Sequence, residues 1–149
     1  MTATDIAIVW DAERSQGDWQ LTEGGDFVTA QALETAVMIS LFTDARAAPD
    51  DVLPQGETDR RGWWGNALGE DPIGSRLWLL RRAKRRPETL NLARDYIREA
   101  LAWLIEDGIA RKVEVTTSWI SPSRMGAAIT IHQPHRSAAL RAEWAWQGI

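Results

Sequence analysis

The chain has 149 residues, 44% hydrophobic and 26% charged, with a net charge of −4, the proportions of a globular domain rather than a disordered, collagen-like or membrane class. Cysteine is absent, which excludes disulfides, thiolate zinc sites and cysteine nucleophiles, and two histidines, His132 and His135, leave little material for imidazole chemistry. Residues 1–10 carry no basic stretch ahead of their short apolar run, so no secretory signal is expected. No run approaches the ~18 apolar residues of a membrane span.

Residues 6–10 and 18–21 are strand-like pieces joined by a polar stretch, forming an N-terminal strand arm over 1–25. Gly24 and Gly25 break the pattern, and a helix is predicted from Asp26 or Thr29, either a suitable N-cap, to about Phe42. Its stripe of Leu33, Ala36, Val37, Ser40 and Leu41 has helical spacing. Met38, Ile39 and Phe42 make its second half apolar nearly all round, which predicts burial on several sides.

Residues 43–75 show no period and hold Pro49, Pro54, Pro72 and five glycines, so they read as a long ordered loop that packs through Leu53, Trp63, Trp64 and Leu68. Residues 75–80 are apolar enough for a helical turn or a buried strand, and periodicity does not decide between them. Pro87 suits the first position of the next helix. That helix carries Leu90, Ala93, Ile97, Leu101 and Leu104 on one stripe, with Leu92, Tyr96, Ala100 and Trp103 on another, and ends at Gly108. Glu106 and Asp107 fall at its C-terminus, where the dipole disfavours acids by about 0.3–1 kcal/mol each. Arg111 and Lys112, or a partner's cation, are expected to offset them.

Three strands follow, over 109–119, 127–132 and 140–146. The last alternates cleanly, with Leu140, Ala142, Trp144 and Trp146 on one face. The predicted fold is therefore one α+β domain over 1–149, a small antiparallel sheet of about three C-terminal strands plus a short N-terminal hairpin, packed on two main helices. The terminal strand is a candidate edge for pairing with another chain.

Charge is unevenly spread. Residues 1–75 carry 4 basic and 14 acidic groups, a net −10; residues 76–112 carry 10 and 5, a net +5; and residues 113–149 carry 3 and 2. Opposed acidic and basic sides suit head-to-tail packing as well as nucleic acid. Tryptophan supplies 9 aromatic residues against 2 Phe and 1 Tyr; most are read as core, although interfaces also favour indole.

Candidate chemistry is sparse. Asp44, Asp50, Asp51 and Asp59 share the long loop, but their spacing matches no calcium loop, so they are read as solvated or arginine-paired. His132 and His135 lack a third ligand. No nucleophile elbow or phosphate-cradling glycine pattern occurs, so neither catalytic residue, metal nor cofactor is assigned. The basic run 81–86 could bind nucleic acid, with Trp78 and Trp119 stacking, and is read first as a solvated or partner-facing surface.

Four separated motifs in order, Ser40-Leu41-Phe42-Thr43-Asp44-Ala45-Arg46-Ala47, Asp50-Asp51-Val52-Leu53-Pro54, Arg61-Gly62-Trp63-Trp64-Gly65 and Gly74-Ser75-Arg76-Leu77-Trp78-Leu79-Leu80, resemble the Mu-type phage tail protein family named after gene product forty-six of phage Mu. The resemblance continues through residues 99–108. Ala45 and Asn66 depart from the family pattern, in which a basic and an acidic residue are usual. The family is similar to the small baseplate wedge proteins of contractile tails. That resemblance implies a non-enzymatic structural subunit of a phage, prophage or tailocin, assembled in the bacterial host cytoplasm and located in the tail baseplate, where it helps start sheath assembly. Its implied partners are a larger wedge subunit and neighbouring baseplate, tube or sheath proteins, with no membrane partner, and nucleic-acid binding remains the alternative. Asp44, Arg46, Asp50, Asp51, Arg61, Gly62, Trp63, Trp64, Gly65, Arg76, Trp78, Trp144 and Trp146 are then expected to organise the loop or contact a partner. Arg46 and Arg61 are expected to form two-pronged pairs with carboxylates.

Overall fold

A computed structural model describes the backbone of residues 4–6, 8–11, 16–19, 23, 29–54, 56–62, 72–81 and 83–145, and the side chains of 23, 33–54, 56–62, 72–81 and 83–140. Its strands are β1 (Thr4–Ile6), β2 (Ile8–Asp11), β3 (Gln16–Trp19), β4 (Thr29–Gln31), β5 (Lys112–Ser121), β6 (Arg124–His132) and β7 (Ser137–Ala145), and its helices are α1 (Ala32–Phe42) and α2 (Pro87–Glu106). A 3-10 turn, Leu77–Leu80, resolves the ambiguous apolar run in favour of helix.

The helix α2 is bracketed as its sequence predicts. Pro87 occupies the first turn, where its missing N–H costs nothing. At the other end Gly108 adopts φ +75, Ile109 donates to the Leu104 carbonyl at 2.9 Å and Gly108 to that of Ile105 at 3.1 Å, a Schellman closure that only a residue tolerant of the left-handed region completes without strain. Ala93, Ile97, Ala100, Leu101 and Leu104 are buried at spacings of three and four, each large side chain contributing about 1.5–3 kcal/mol of burial. Leu92, expected on a second buried stripe, is 43% exposed.

The strands β5, β6 and β7 form one antiparallel sheet in that order. Val115, Ile129 and Leu140 stand opposite one another in register, and all three are buried. Each strand begins away from its predicted start because the chain spends Ile109 and Ala110 closing α2 and lets the hairpins run to their turns. Thr117 donates its hydroxyl to the Leu90 carbonyl at 2.7 Å, fastening β5 to α2.

The helix α1 lies on α2 and on the N-terminal strands, so the sheet's main cover is α2. Val37 and Leu41 join the core, while Ile39, expected to be enclosed, is 40% exposed. The predicted helix start at Asp26 or Thr29 is corrected. Thr29–Gln31 is strand β4, paired antiparallel with β1, and that pairing overrides the local N-cap signal. The predicted strand over 6–10 is likewise two strands, β1 bonded to β4 and β2 bonded to β3.

Candidate functional site: an arginine-clamped loop

The long loop leaves α1 at Thr43 and returns at Ser75. Its neck is a parallel bridge between Asp44 and Ser75, with Ser75 N–H donating to the Thr43 carbonyl and Ala45 N–H to that of Ser75, both at 2.9 Å. The Ser75 hydroxyl donates to the Leu41 carbonyl. Gly74, at φ +118, lies so close that a Cβ would stand 2.7 Å from the Thr43 carbonyl oxygen.

Inside the neck the chain folds on its own carbonyls. Ala47 N–H donates to Arg60 O at 2.9 Å, Arg60 Nη1 to Ala48 O at 2.7 Å, and Ala48 N–H to Asp51 Oδ2 at 2.7 Å. Three arginines then tie this loop to the helices. Arg61 Nη1 donates to Asp44 Oδ2 at 2.7 Å, its Nη2 reaches both Glu57 oxygens at 3.1 and 3.2 Å, and its guanidinium stacks 4.5 Å from the Trp78 ring centroid. Glu57 also pairs with Arg81. Arg76 Nη1 contacts both Asp51 oxygens at 2.9 and 3.0 Å, its Nε and Nη2 grip Glu99 on α2, and it covers the Tyr96 ring at 4.7 Å. Beneath them Trp78, 8% exposed, donates Nε1–H to the Ala45 carbonyl at 2.8 Å.

The electrostatics follow from these contacts. Burial raises the pKa of Asp51, but hydrogen bonds from Arg76 and the Ala48 N–H, with the charges of Arg76 and Arg60, bring it below its ordinary value. Burial opposes the charge on Arg76, and its bonds to Glu99 and Asp51 outweigh that opposition and raise its pKa. Two-pronged arginine–carboxylate pairs are stronger and more directional than lysine pairs, so Asp51 and Glu57 in the described part of the loop are held where the arginines place them.

Asp44, Asp51, Arg61, Arg76 and Trp78 are thus brought together. Asp50 is exposed and makes no ion pair among the described residues. Arg46, expected to form a two-pronged pair, is exposed and makes no ion pair among the described residues; Arg76 takes that role because it faces α2. Gly62, φ +108, packs against Arg46, where a Cβ would stand 3.0 Å from the Arg46 Cβ. Trp63, Trp64, Gly65 and Trp146 lie outside the described residues. Trp144 pairs with Met125 in the β6–β7 register. Glu57 was not singled out in the sequence, and Arg81, Ser75, Tyr96 and Glu99 entered only through the basic run, a motif, an apolar stripe and the resemblance over 99–108, not as partners in this loop.

Between the neck and the C-terminal half of α2 an open groove of about 640 Å³ is lined in part by Ala45, Arg46, Ile73, Ala102, Trp103 and Glu106. Among the described residues no three His, Cys, Asp or Glu side chains cluster to hold a metal ion. Asp44, Asp51, Glu57 and Glu99 are all engaged by arginines.

The protein is thus a small α+β scaffold in which the described part of a long loop is tied to a central helix by charged forks. The chain matches the family model described as phage protein GP46 over residues 33–138, and it belongs to that family. It is 51% identical over 112 residues, 75% of each chain, to the baseplate protein gp46 of Escherichia phage Mu. It is 37% identical over 146 residues to the Mu-like prophage FluMu protein gp46 of Haemophilus influenzae, covering 95% of this chain and 98% of the other.

Proposed function

We propose that the protein is a non-enzymatic structural subunit of a phage or prophage tail baseplate, a wedge component that packs with a larger wedge protein around the tube and helps start sheath assembly. The observation that carries this reading is the 51% identity to the baseplate protein gp46 of phage Mu over three quarters of both chains. The arginine-locked loop supports it, because a surface repeated in many copies gains from being rigid before it docks. The strand β7 supports it as well: it is bonded on one side only among the described residues, leaving an edge open to strand addition.

Nucleic-acid binding through 81–86 is the weaker reading. Arg81 is spent on Glu57 and Arg85 stacks 5.3 Å from the Trp119 ring, so two of the run's cations already have partners.

Co-expression with the adjacent reading frames of its own genome, followed by affinity capture and light scattering, tests the proposal. A stable complex with one larger neighbour is expected, and replacement of Trp63 and Trp64 together by Ala is expected to abolish it while circular dichroism is unchanged. Failure to bind any neighbour, with salt-sensitive binding to DNA instead, would favour the weaker reading.

A further inference from the structure

The helix α2 is preceded by cations and closed by acids, charges its own dipole disfavours, although Glu88 in its first turn is a favourably placed acid. Lys84, Arg85 and Arg86 precede its first turn, all exposed, and Arg86 at the N-cap supplies no side-chain acceptor to the free N–H groups. Glu106 and Asp107 close the other end, also exposed, and the last turn holds no base. A helix is positive at its N-terminus and negative at its C-terminus, so both placements work against the isolated chain.

At the acidic end the remedy available within the chain is not taken. Lys112, the cation nearest the acidic end in sequence with Arg111, pairs with Glu114 at 2.8 Å. Among the described residues Lys84, Arg86, Glu106, Asp107 and Arg111 make no ion pair. Apolar surface accompanies the acids: Ile105 and Ile109 are 48% and 37% exposed, and the groove walled by Ala102, Trp103 and Ile73 reaches Glu106.

We infer that the chain packs head to tail on a second copy of itself, the Lys84–Arg86 end of α2 in one copy seating on the Glu106–Asp107 end and adjoining groove of the next. The occupant is another copy because the two surfaces are opposite in sign and stand at opposite ends of one helix roughly 30 Å long. Each contact therefore leaves one free end of each kind, and such heterologous contacts build rings or filaments. The incoming end also brings Glu88, the acid of its first turn, as a counter-charge for Arg46 on the groove's rim. Desolvating these charges against opposite ones removes the dipole conflict at both ends at once.

The inference needs only the chain itself and does not rest on the baseplate reading. Sedimentation velocity over a concentration series, at low and high salt, tests it. Wild type is expected to self-associate at low salt and to dissociate as salt rises. Lys84→Glu with Arg86→Glu, and separately Glu106→Lys with Asp107→Lys, should each weaken association by about tenfold or more. An equimolar mixture of the two variants should regain it, since each then offers the sign the other lacks. All four positions are exposed, and circular dichroism checks that both variants fold. A wild type that stays monomeric throughout, association that survives both reversals, or a mixture that fails to associate would each overturn the inference. Loss of a larger neighbour's binding in the Glu106→Lys, Asp107→Lys variant of a monomeric protein would overturn it too, and would hand that surface to the neighbour while leaving the baseplate reading intact.

Discussion

Arg76 and Glu99 meet through two parallel hydrogen bonds, Nε to Oε2 at 2.9 Å and Nη2 to Oε1 at 3.1 Å, while the remaining Nη1 of the same guanidinium closes on Asp51. One side chain therefore joins the loop to α2, and its planar fork is what makes both contacts possible at once. The two acids differ in setting: the Asp51 side chain is 14% exposed and that of Glu99 55%.

Arg76→Ala should lower the unfolding free energy by about 2 kcal/mol, because it leaves the Asp51 carboxylate half-satisfied in a sheltered site. Glu99→Ala, which removes the solvated partner, should cost less than about 1 kcal/mol. Arg76→Lys should fall between them, keeping the charge and losing the fork. Urea unfolding curves of the three variants check the order, and an equal loss for Glu99→Ala and Arg76→Ala would refute the bridging role.

Acid should weaken the fold through Asp51. Its folded pKa lies below the ordinary 3.8, so the unfolded chain binds the proton more readily. The stabilisation is complete above that value and is lost as pH falls through the folded pKa. Asp51→Asn should therefore be less stable than wild type at neutral pH and should show a flatter decline below about pH 4. On the outer face of the sheet, hydrogen bonds from Lys112 and His132 hold Glu114 down to about 2. Lys112→Met should move its midpoint back toward 4.5, followed by carboxyl carbon shifts during an NMR titration.

Two glycines separate backbone strain from steric conflict. Gly56 has φ +83, and a methyl group added there would find nothing within 4 Å, so Gly56→Ala should cost only the left-handed penalty, about 1 kcal/mol. At Gly74 the added Cβ would also meet the Thr43 carbonyl oxygen at 2.7 Å and the Ala45 nitrogen at 2.8 Å, both backbone atoms of the loop neck. Gly74→Ala should cost at least twice as much, roughly 2 kcal/mol or more, and should lower the melting temperature correspondingly. Equal penalties at the two positions would show that the neck can shift to accept the methyl group.

The sequence was most readable where local signals agreed. Pro87 and Gly108 bracket α2, the apolar spacing between them defines its buried face, and the alternation after Gly108 announces the sheet. It was least readable where distant partners decide. Thr29 looks like an N-cap until β1 arrives to pair with it, and the single apolar run over 6–10 divides because its halves bond different strands. In the loop the motifs name Asp44, Asp51, Arg61, Arg76 and Trp78 without saying which carboxylate each arginine meets. Arg46 and Arg76 are the same residue type, however, and only the fold, which brings Arg76 to partners 25 and 23 positions away, tells them apart. Glu99, on the exposed side of α2, gave no sign of its partner.

The pairing of β1 with β4 has a bearing on how the chain comes to be folded. β4 passes into α1 with no intervening residue, so the first strand is tied to the start of the first helix across a segment that contains the β2–β3 hairpin. The hairpin needs only local closure, whereas the β1–β4 ladder closes the longer segment that contains it. Closing the longer segment adds a penalty that grows only logarithmically with its length, and a hairpin already formed inside it shortens the effective span. The strand pairing thereby makes the outer ladder the costlier of the two to close, and the hairpin nested inside it lowers that cost while the ladder anchors the start of α1.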